Sequence, residues 1–275
     1  MRTIWKGAIS FGLVSIPVKL FPATEHKDVK FRYLHRTCQA PLKYQRICTA
    51  CGKEVAQEEI VRGYEYEKGR FVVINEEDLE KLPSEQAKTL DIVDFVALEE
   101  IDPIYFDKTY YLAPGETGEK AYALLRTAME ETGKIAVAKV VIRNKESLAV
   151  IRRYRQLLVM ETIFYPDEIR SPAELPGFNR EVKLHDNERK MARELIENLA
   201  GKFEPQKYED EYRKQLLELI HAKIAGEQIA APAAPPDGKV VDLMEALKAS
   251  VEMARKAAEE EEKKGRKGRK KAAGT

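Results

Sequence analysis

Four side chains in this sequence have the types and spacing that bind a zinc ion. His35 and Cys38 form one pair and Cys48 and Cys51 form a second, each with two residues between the ligands. This spacing lets both side chains of a pair face one ion, and structural zinc takes four nitrogen or sulfur ligands. Because four ligands leave no position open for water, the predicted site is structural. The alternative is three unrelated reduced thiols and a surface histidine.

Basic residues are concentrated in two stretches of a chain whose formal net charge is only +1. The first stretch runs from Lys27 to Lys53 and its only acidic residue is Asp28. The second stretch, residues 134–155, contains Glu146 as its only acid. This distribution predicts a one-sided positive surface of the kind that binds a phosphate backbone. The alternative is a set of solvated strand faces whose carboxylate partners lie elsewhere.

The residues after the main body predict a linker and a separate helix. Residues 227–239 are rich in alanine and proline, a composition that favours extended backbone without a core. An amphipathic helix is then predicted over residues 240–258, and its apolar face would dock into a groove of a partner. The predicted partner-binding residues are Val240, Leu243, Met244, Leu247 and Val251. The alternative is a helix that folds back onto its own core.

The last residues, 259–275, predict a disordered basic tail, because glycine and like charges there leave nothing to fold. The tail is interpreted as a flexible arm that exchanges DNA counterions for its own charges, or as a solubilising terminus. The predicted DNA-binding residues of the tail are Lys263, Lys264, Arg266, Lys267, Arg269, Lys270 and Lys271.

No arrangement typical of a catalytic site occurs in the sequence. It has no glycine-rich phosphate loop, no nucleophile elbow, no zinc-protease helix motif and no zinc-deaminase signature. We therefore predict no catalytic residues and a chain that is not an enzyme. The absence of a bilayer-length apolar run or signal peptide, with an odd number of cysteines, predicts a cytoplasmic protein without a membrane partner.

The elements that must position these residues are mainly β in the first two thirds of the chain. A hairpin is predicted over Tyr64–Ile74, with its turn at Lys68 and Gly69. Helices are predicted over Glu119–Glu131, from Asp186 to about Ala200, and from about Glu209 to Ala225. The predicted fold class is therefore mainly β with α.

Five blocks of the sequence, in the same order, resemble the prokaryotic Ku family. They are Trp5–Leu20, Glu59–Tyr66, Tyr122–Met129, Arg143–Glu146 and Tyr165–Arg170. The resemblance covers nearly the whole chain. It implies a β-barrel core over residues 1–180 with a DNA-encircling bridge, and a helical dimerisation arm over 181–226. The zinc-knuckle insert predicted from the four ligands, at about 35–51, falls within this bridge.

The resemblance also implies a function and its partners. A homodimeric ring would bind double-stranded DNA ends without regard to sequence, in repair by non-homologous end joining, and would associate with the nucleoid. The helix over 240–258 would recruit and stimulate the ATP-dependent DNA ligase D. The DNA-facing residues that it implies are Lys43, Arg46, Arg143 and Lys145, with Arg36, Arg152 and Arg153 as further candidates.

Two other classes of function fit the sequence less well. A zinc-ribbon enzyme acting on nucleic acid would need a general base and an open metal position, and the sequence offers neither. A ribosome- or RNA-associated zinc-ribbon module is disfavoured by the acidic middle of the chain and by the size of the β body.

We further expect subunit association to bury the apolar faces of two helices. These faces consist of Met191, Leu195 and Leu199 in one helix and of Leu216, Ile220 and Ile224 in the other.

Overall fold

The chain folds into two units, Met1–Glu174 and Leu175–Thr275. A computed structural model describes residues 1–80, 88–142, 145–177, 182–226, 244–253 and 255–256. The sequence prediction placed the end of the first unit at residue 180. The predicted linker, 227–239, and the predicted tail, 259–275, lie outside the described residues.

In the residues that the structure describes, the first unit consists mainly of β-strands with two α-helices. Its strands are β1 (Trp5–Phe11), β2 (Val14–Pro22), β3 (Arg62–Glu67), β4 (Arg70–Ile74), β5 (Thr89–Val96), β6 (Phe106–Pro114), β7 (Ile135–Ile142), β8 (Lys145–Tyr154) and β9 (Leu157–Ile163). Its helices are α1 (Glu76–Glu80) and α2 (Glu119–Thr132).

Seven of these strands form a closed barrel in the order β1-β2-β6-β9-β8-β7-β5, and β3 and β4 form a separate two-stranded sheet. The barrel closes where β5 pairs in parallel with β1, whereas its other pairings are antiparallel. Gly7 lies at this closure, and a Cβ atom there would lie 2.0 Å from the carbonyl oxygen of Lys88. Glycine is therefore required for the two strands to approach each other.

The barrel encloses the main hydrophobic core, and α2 contributes one face to it. The buried strand residues include Ile9, Ile16, Leu20, Leu90, Leu112, Ala149, Ile151, Leu158 and Met160. Tyr122, Leu125 and Met129 of α2 pack into the same cluster, and each is at most 5% exposed. The hydroxyl of Tyr122 donates to the carbonyl oxygen of Leu112 at 2.6 Å and accepts from the N–H of Leu158 at 2.7 Å. These bonds fix α2 to strands β6 and β9.

Strand β8 is covered on both of its faces. Ala149 and Ile151 belong to the main core, whereas Val150 belongs to a second cluster with Ile135 and Ile163. Alternate residues of a strand point to opposite faces, so the second cluster lies on the outer side of the sheet. β8 is thus held by β7 and β9 along its edges and by apolar clusters on both faces, so the positions of its side chains on the barrel are well defined.

The second unit is helical in its described part. It contains α3 (Asp186–Leu199) and α4 (Glu211–Ala225), and a further helical segment at 244–253 and 255–256, here named α5. The carboxylate of Asp210 accepts from the N–H of Arg213 and caps α4, and Gly226 ends it with φ of 77°. Neither α3 nor α4 contains a buried residue.

Several local predictions are confirmed, and one strand was not predicted. The hairpin turns at Gly69 with φ of 79°, and α2 ends at Gly133 with φ of 64°. Helix α3 begins at Asp186 as predicted, and its cap position is occupied by His185, whose N–H donates to Glu188. Strand β5 was missed, because its acidic residues and a bulge interrupt the strand pattern.

Candidate functional site

The long connection between β2 and α1 carries the predicted metal ligands and most of the predicted DNA-facing residues. We call residues 24–74 the bridge segment. All of its residues are described, and none of their side chains is buried. The only strands in it, β3 and β4, pair with each other and not with the barrel. The bridge segment therefore has no hydrophobic core of its own within a single chain.

His35 and Cys38 lie in a tight turn, residues 34–41, which we call the first knuckle. The N–H of His35 donates to the carbonyl of Ala40 at 2.9 Å, and the N–H of Gln39 donates to the carbonyl of His35 at 2.8 Å. Gln39 has φ of 54°, in the left-handed region that residues other than glycine rarely adopt. Nδ1 of His35 lies 3.0 Å from Sγ of Cys38, so these two side chains already face each other.

Residues 47–54, the second knuckle, repeat this arrangement around Cys48 and Cys51. The N–H of Cys48 donates to the carbonyl of Lys53 at 2.9 Å, and the N–H of Gly52 donates to the carbonyl of Cys48 at 2.9 Å. Gly52 has φ of 67°. In both knuckles an antiparallel bridge joins the first and the last residue. The two ligand pairs therefore occupy equivalent positions in two equivalent turns.

The second knuckle favours the thiolate form of Cys48. Backbone N–H groups of Cys51 and Ala50 point at its sulfur, and their hydrogen bonds hold the pKa of the Cys48 thiol below its usual value. Thiolates are the form of cysteine that binds metals. Within the described part of the chain, however, no three histidine, cysteine, aspartate or glutamate side chains lie together closely enough to hold a metal. The knuckles present two ligands each, and zinc binding by the four stays a prediction.

Basic side chains predicted to contact DNA surround the knuckles. Lys43 and Arg46 lie between them and are exposed, as is Arg36 in the first knuckle. Nη1 of Arg46 donates to Oε1 of Gln57, which orients the guanidinium without neutralising its charge. The bridge segment thus presents positive charge to solvent on a chain with little net charge.

The turn between β7 and β8 carries the second predicted group. Arg143 lies outside the described residues. Lys145 is exposed, and its Nζ lies 3.5 Å from Oε1 of Glu168. The pKa of Glu168 is lowered mainly by the hydrogen bond from the N–H of Tyr165 and to a smaller extent by the charge of Lys145. An exposed ion pair of this kind contributes little energy, so Lys145 remains available to another anion.

Arg152 and Arg153 are both occupied by carboxylates. Arg152 donates from Nε and Nη2 to the two oxygens of Glu161, each at 2.7 Å. Nη1 of Arg153 lies 2.7 Å from Oε1 of Glu130, which belongs to α2. The Arg152 side chain is only 28% exposed. These contacts favour a structural role for Arg152, and a role of either arginine in DNA binding stays a prediction.

The described part of α5 makes contacts within its own unit. Val251 is buried at 7% exposure, whereas Met244 and Leu247 are half-buried. Nη2 of Arg255 donates to Oε1 of Glu194 in α3. Val240 and Leu243 of the predicted docking surface lie outside the described residues. The seven basic residues predicted in the tail also lie outside them.

The bridge segment also exposes large apolar side chains, which the sequence analysis did not predict. Several of them are more than half exposed: Phe31, Tyr33, Leu34, Tyr44, Ile47, Val61, Tyr64, Tyr66 and Phe71. A signal was present, since β3 and β4 were predicted as a hairpin. What the sequence did not reveal is that this hairpin forms a two-stranded sheet of its own, separate from the barrel.

The fold and the basic bridge segment place the chain in a known class of protein. Residues 10–191 match the family model of the Ku70/Ku80 β-barrel domain. The chain belongs to the Ku family, and the prediction of a Ku-type β-barrel core is confirmed. Family membership also agrees with the prediction that the chain is not an enzyme.

Proteins named "Non-homologous end joining protein Ku" are similar over most of this chain. That of Symbiobacterium thermophilum is 56% identical, over 92% of this chain and 63% of its own length. Those of Bacillus subtilis and Heliobacterium modesticaldum are 50% and 52% identical, over 93% and 92% of this chain and 83% and 92% of their own lengths. The chain thus spans less than two thirds of the Symbiobacterium relative.

Among solved structures, the SPOC domain of human PHD-finger protein 3 matches with a TM-score of 0.30 and 12% identity. That match covers 59% of this chain and 95% of the domain, and it is too weak to bear on function. In the described residues, no helix is both long and apolar enough to cross a membrane.

Proposed function

We propose that this chain binds the ends of double-stranded DNA without regard to sequence and acts in non-homologous end joining. It does so as a binding protein, not as an enzyme. Two facts support the proposal: the chain belongs to the Ku family, and its relatives carry that function in their names. We place this activity in the cytoplasm, at the nucleoid.

The observation that carries the proposal is the exposure of the bridge segment. Lys43 and Arg46 reach solvent from a segment without buried side chains, and few acidic residues surround them in the sequence. Basic side chains held on exposed backbone bind phosphates, which every DNA sequence presents in the same way. Such binding weakens with salt: the logarithm of the binding constant falls linearly with the logarithm of the salt concentration, with a slope of about −0.9 per phosphate contacted.

We propose that the active form is a homodimeric ring. The bridge segment exposes aromatic side chains such as Tyr44, at 81%, and Phe71, at 61%. In α3 and α4, Leu199 and Ile224 are 68% and 77% exposed. Extended apolar surfaces of this kind are typical of obligate interfaces. A second copy of the chain covers these surfaces, and two bridge segments together enclose the duplex.

We propose that α5 recruits DNA ligase D. Its exposed residues, among them Met253 at 70%, offer a contact surface to a partner. Because Val251 is already buried in the free chain, the docking face comprises the residues of α5 that remain accessible. The basic residues of the tail add affinity for DNA, through counterion release, to that of the ring.

Binding to three nucleic acids separates this proposal from its alternatives. We expect the protein to bind a linear duplex in preference to the same duplex closed into a circle, and to bind single-stranded RNA weakly. An RNA-binding module would prefer the RNA, and a zinc-ribbon nuclease or ligase would alter the DNA covalently. Equal affinity for linear and circular duplex would contradict end binding.

A further inference from the structure

The equivalence of the two knuckles carries an inference about metal binding. We propose that His35, Cys38, Cys48 and Cys51 bind one zinc ion that closes the two knuckles onto each other. Each knuckle already presents two ligands from a turn closed by the same pair of backbone hydrogen bonds. Zinc in structural sites takes four such ligands, which is the sum of the two knuckles.

Backbone conformation at Gln39 is independent support. At the equivalent position in the second knuckle, a Cβ atom on Gly52 would meet no other atom within 4 Å, so crowding does not require glycine there. The reason for glycine at this position is its left-handed φ. Gln39 adopts that conformation although it carries a side chain, with φ of 54°. The first knuckle therefore keeps the same turn against a local conformational cost, which is expected if the turn must match its counterpart.

A metal also supplies what the bridge segment lacks. Small segments without a hydrophobic core are commonly held by a metal or by disulfides, and no side chain between Thr24 and Ile74 is buried. The cysteines are unpaired with one another. Joining the knuckles would close the connection that carries Lys43 and Arg46 into a loop fixed at both ends.

The chemistry of binding is a proton exchange without redox change. Zn²⁺ forms three bonds to sulfur and one to a ring nitrogen of neutral His35, and each cysteine thiol that still carries a proton releases it to the buffer. The complex of three thiolates, one imidazole and Zn²⁺ carries a charge of −1. The basic residues around the knuckles surround this charge.

Metal analysis of the full-length protein tests the site without any DNA. We expect one zinc per chain, and we expect cobalt substitution to give the absorption of a tetrahedral site with sulfur-to-cobalt charge transfer. Cys48→Ser with Cys51→Ser should lose the metal. His35→Cys should retain it, because sulfur replaces nitrogen in the same set, and Gln39→Gly should retain it because glycine favours the same turn.

Circular dichroism and thermal unfolding show whether the barrel of each variant remains folded. Zinc absent from the wild-type protein, or bound equally by the double-serine variant, would overturn the proposal. If the double-serine variant is unfolded, removal and restoration of zinc in the wild-type chain replaces it. Failure of the chain to regain one zinc, or of its cobalt-substituted form to show the tetrahedral absorption, would then overturn the site.

A second readout rests on the proposed function. If zinc fixes the loop of Lys43 and Arg46, its removal should weaken binding to a linear duplex, and its return should restore binding. Affinity that does not change with the metal would contradict the link to DNA binding but leave the metal stoichiometry standing. Conversely, one zinc per chain in a protein without DNA affinity would refute the proposed function alone.

Discussion

Arg152 and Glu161 form a two-pronged ion pair across strands β8 and β9, with both hydrogen bonds at 2.7 Å. The two side chains are 28% and 11% exposed. The bonds to Glu161 raise the pKa of Arg152, so this guanidinium stays charged at any working pH. Arg152 was a candidate DNA-facing residue because of its positive charge, and that charge is balanced by Glu161 on the barrel wall.

Arg152→Ala should therefore destabilise the protein more than it weakens DNA binding. The substitution leaves the largely buried carboxylate of Glu161 without its partner, which should lower the free energy of unfolding by about 1–3 kcal/mol. Arg153→Ala is the matched control, because its pair with Glu130 is more exposed and should cost less than about 1 kcal/mol. Urea unfolding measures both. A large loss of DNA affinity with unchanged stability in Arg152→Ala would assign this arginine to DNA instead.

Tyr122→Phe tests how α2 is held to the barrel. It leaves the carbonyl of Leu112 and the N–H of Leu158 without the hydroxyl, at a cost of about 1–3 kcal/mol. Burial raises the pKa of Tyr122 above its usual 10.0. The folded state therefore disfavours the phenolate, and stability present below about pH 10 is lost as the pH rises further.

Unfolding by urea at pH 8 and pH 10.5 separates these two effects. The wild-type protein should lose more stability between these pH values than Tyr122→Phe does. An identical loss in both proteins would show that other groups cause the alkaline dependence.

Charge reversal of the predicted DNA-facing residues Lys43, Arg46, Arg143 and Lys145 should abolish binding to a linear duplex without unfolding the protein. Phosphate contacts supply most of the affinity in sequence-independent binding. Charge reversal of Lys108 and Lys120, exposed lysines outside the bridge segment, is the control and should change affinity little. Fluorescence anisotropy over a salt series measures both. Unchanged affinity of the quadruple variant at moderate salt would refute the assignment.

Deletion of residues 263–271 should weaken DNA binding only in part. Fewer counterions are then released, so the dependence of affinity on salt should become shallower as well. The same salt series detects this. If binding disappears altogether, the tail is the main DNA site and the bridge segment is not.

Removal of residues 240–251 should abolish stimulation of ligase D while DNA binding persists. The ion pair between Arg255 and Glu194 offers a finer test of α5. Arg255→Glu and Glu194→Arg should each increase amide exchange in α5, and the two together should restore protection. Intact ligase stimulation by the deletion variant would exclude α5 as the docking element, and additive effects of the two substitutions would exclude the pair.

Local patterns predicted much of the fold, whereas pairings between distant segments did not follow from them. Helix α2 was predicted over Glu119–Glu131 from helical spacing alone, and the structure has it over Glu119–Thr132. Strand β5 was missed because Asp91 and Asp94 break the apolar alternation, and its parallel pairing with β1 joins segments far apart in the chain. In the candidate functional site, too, local features could be predicted from the sequence, whereas contacts between distant segments could not.

The two knuckles were visible as local spacings of histidine and cysteine, but their identical backbone turns were not. The partner of Lys145, Glu168, could not be predicted, because it lies on a different element whose position depends on the folded barrel. Glu161 could in principle have been predicted, because the β8–β9 register pairs Arg152 with Val159 and so places Glu161 diagonally opposite, two residues further along β9.

The central claim is that two copies of the chain enclose the DNA, and blocking DNA ends after loading tests it most directly. The protein is loaded on a linear duplex biotinylated at both ends, streptavidin is added, and salt is then raised. We predict that protein loaded before streptavidin stays on the DNA through the salt wash, whereas protein added after streptavidin does not bind. Equal loss of protein with blocked and open ends, or equal binding before and after blocking, would contradict the ring.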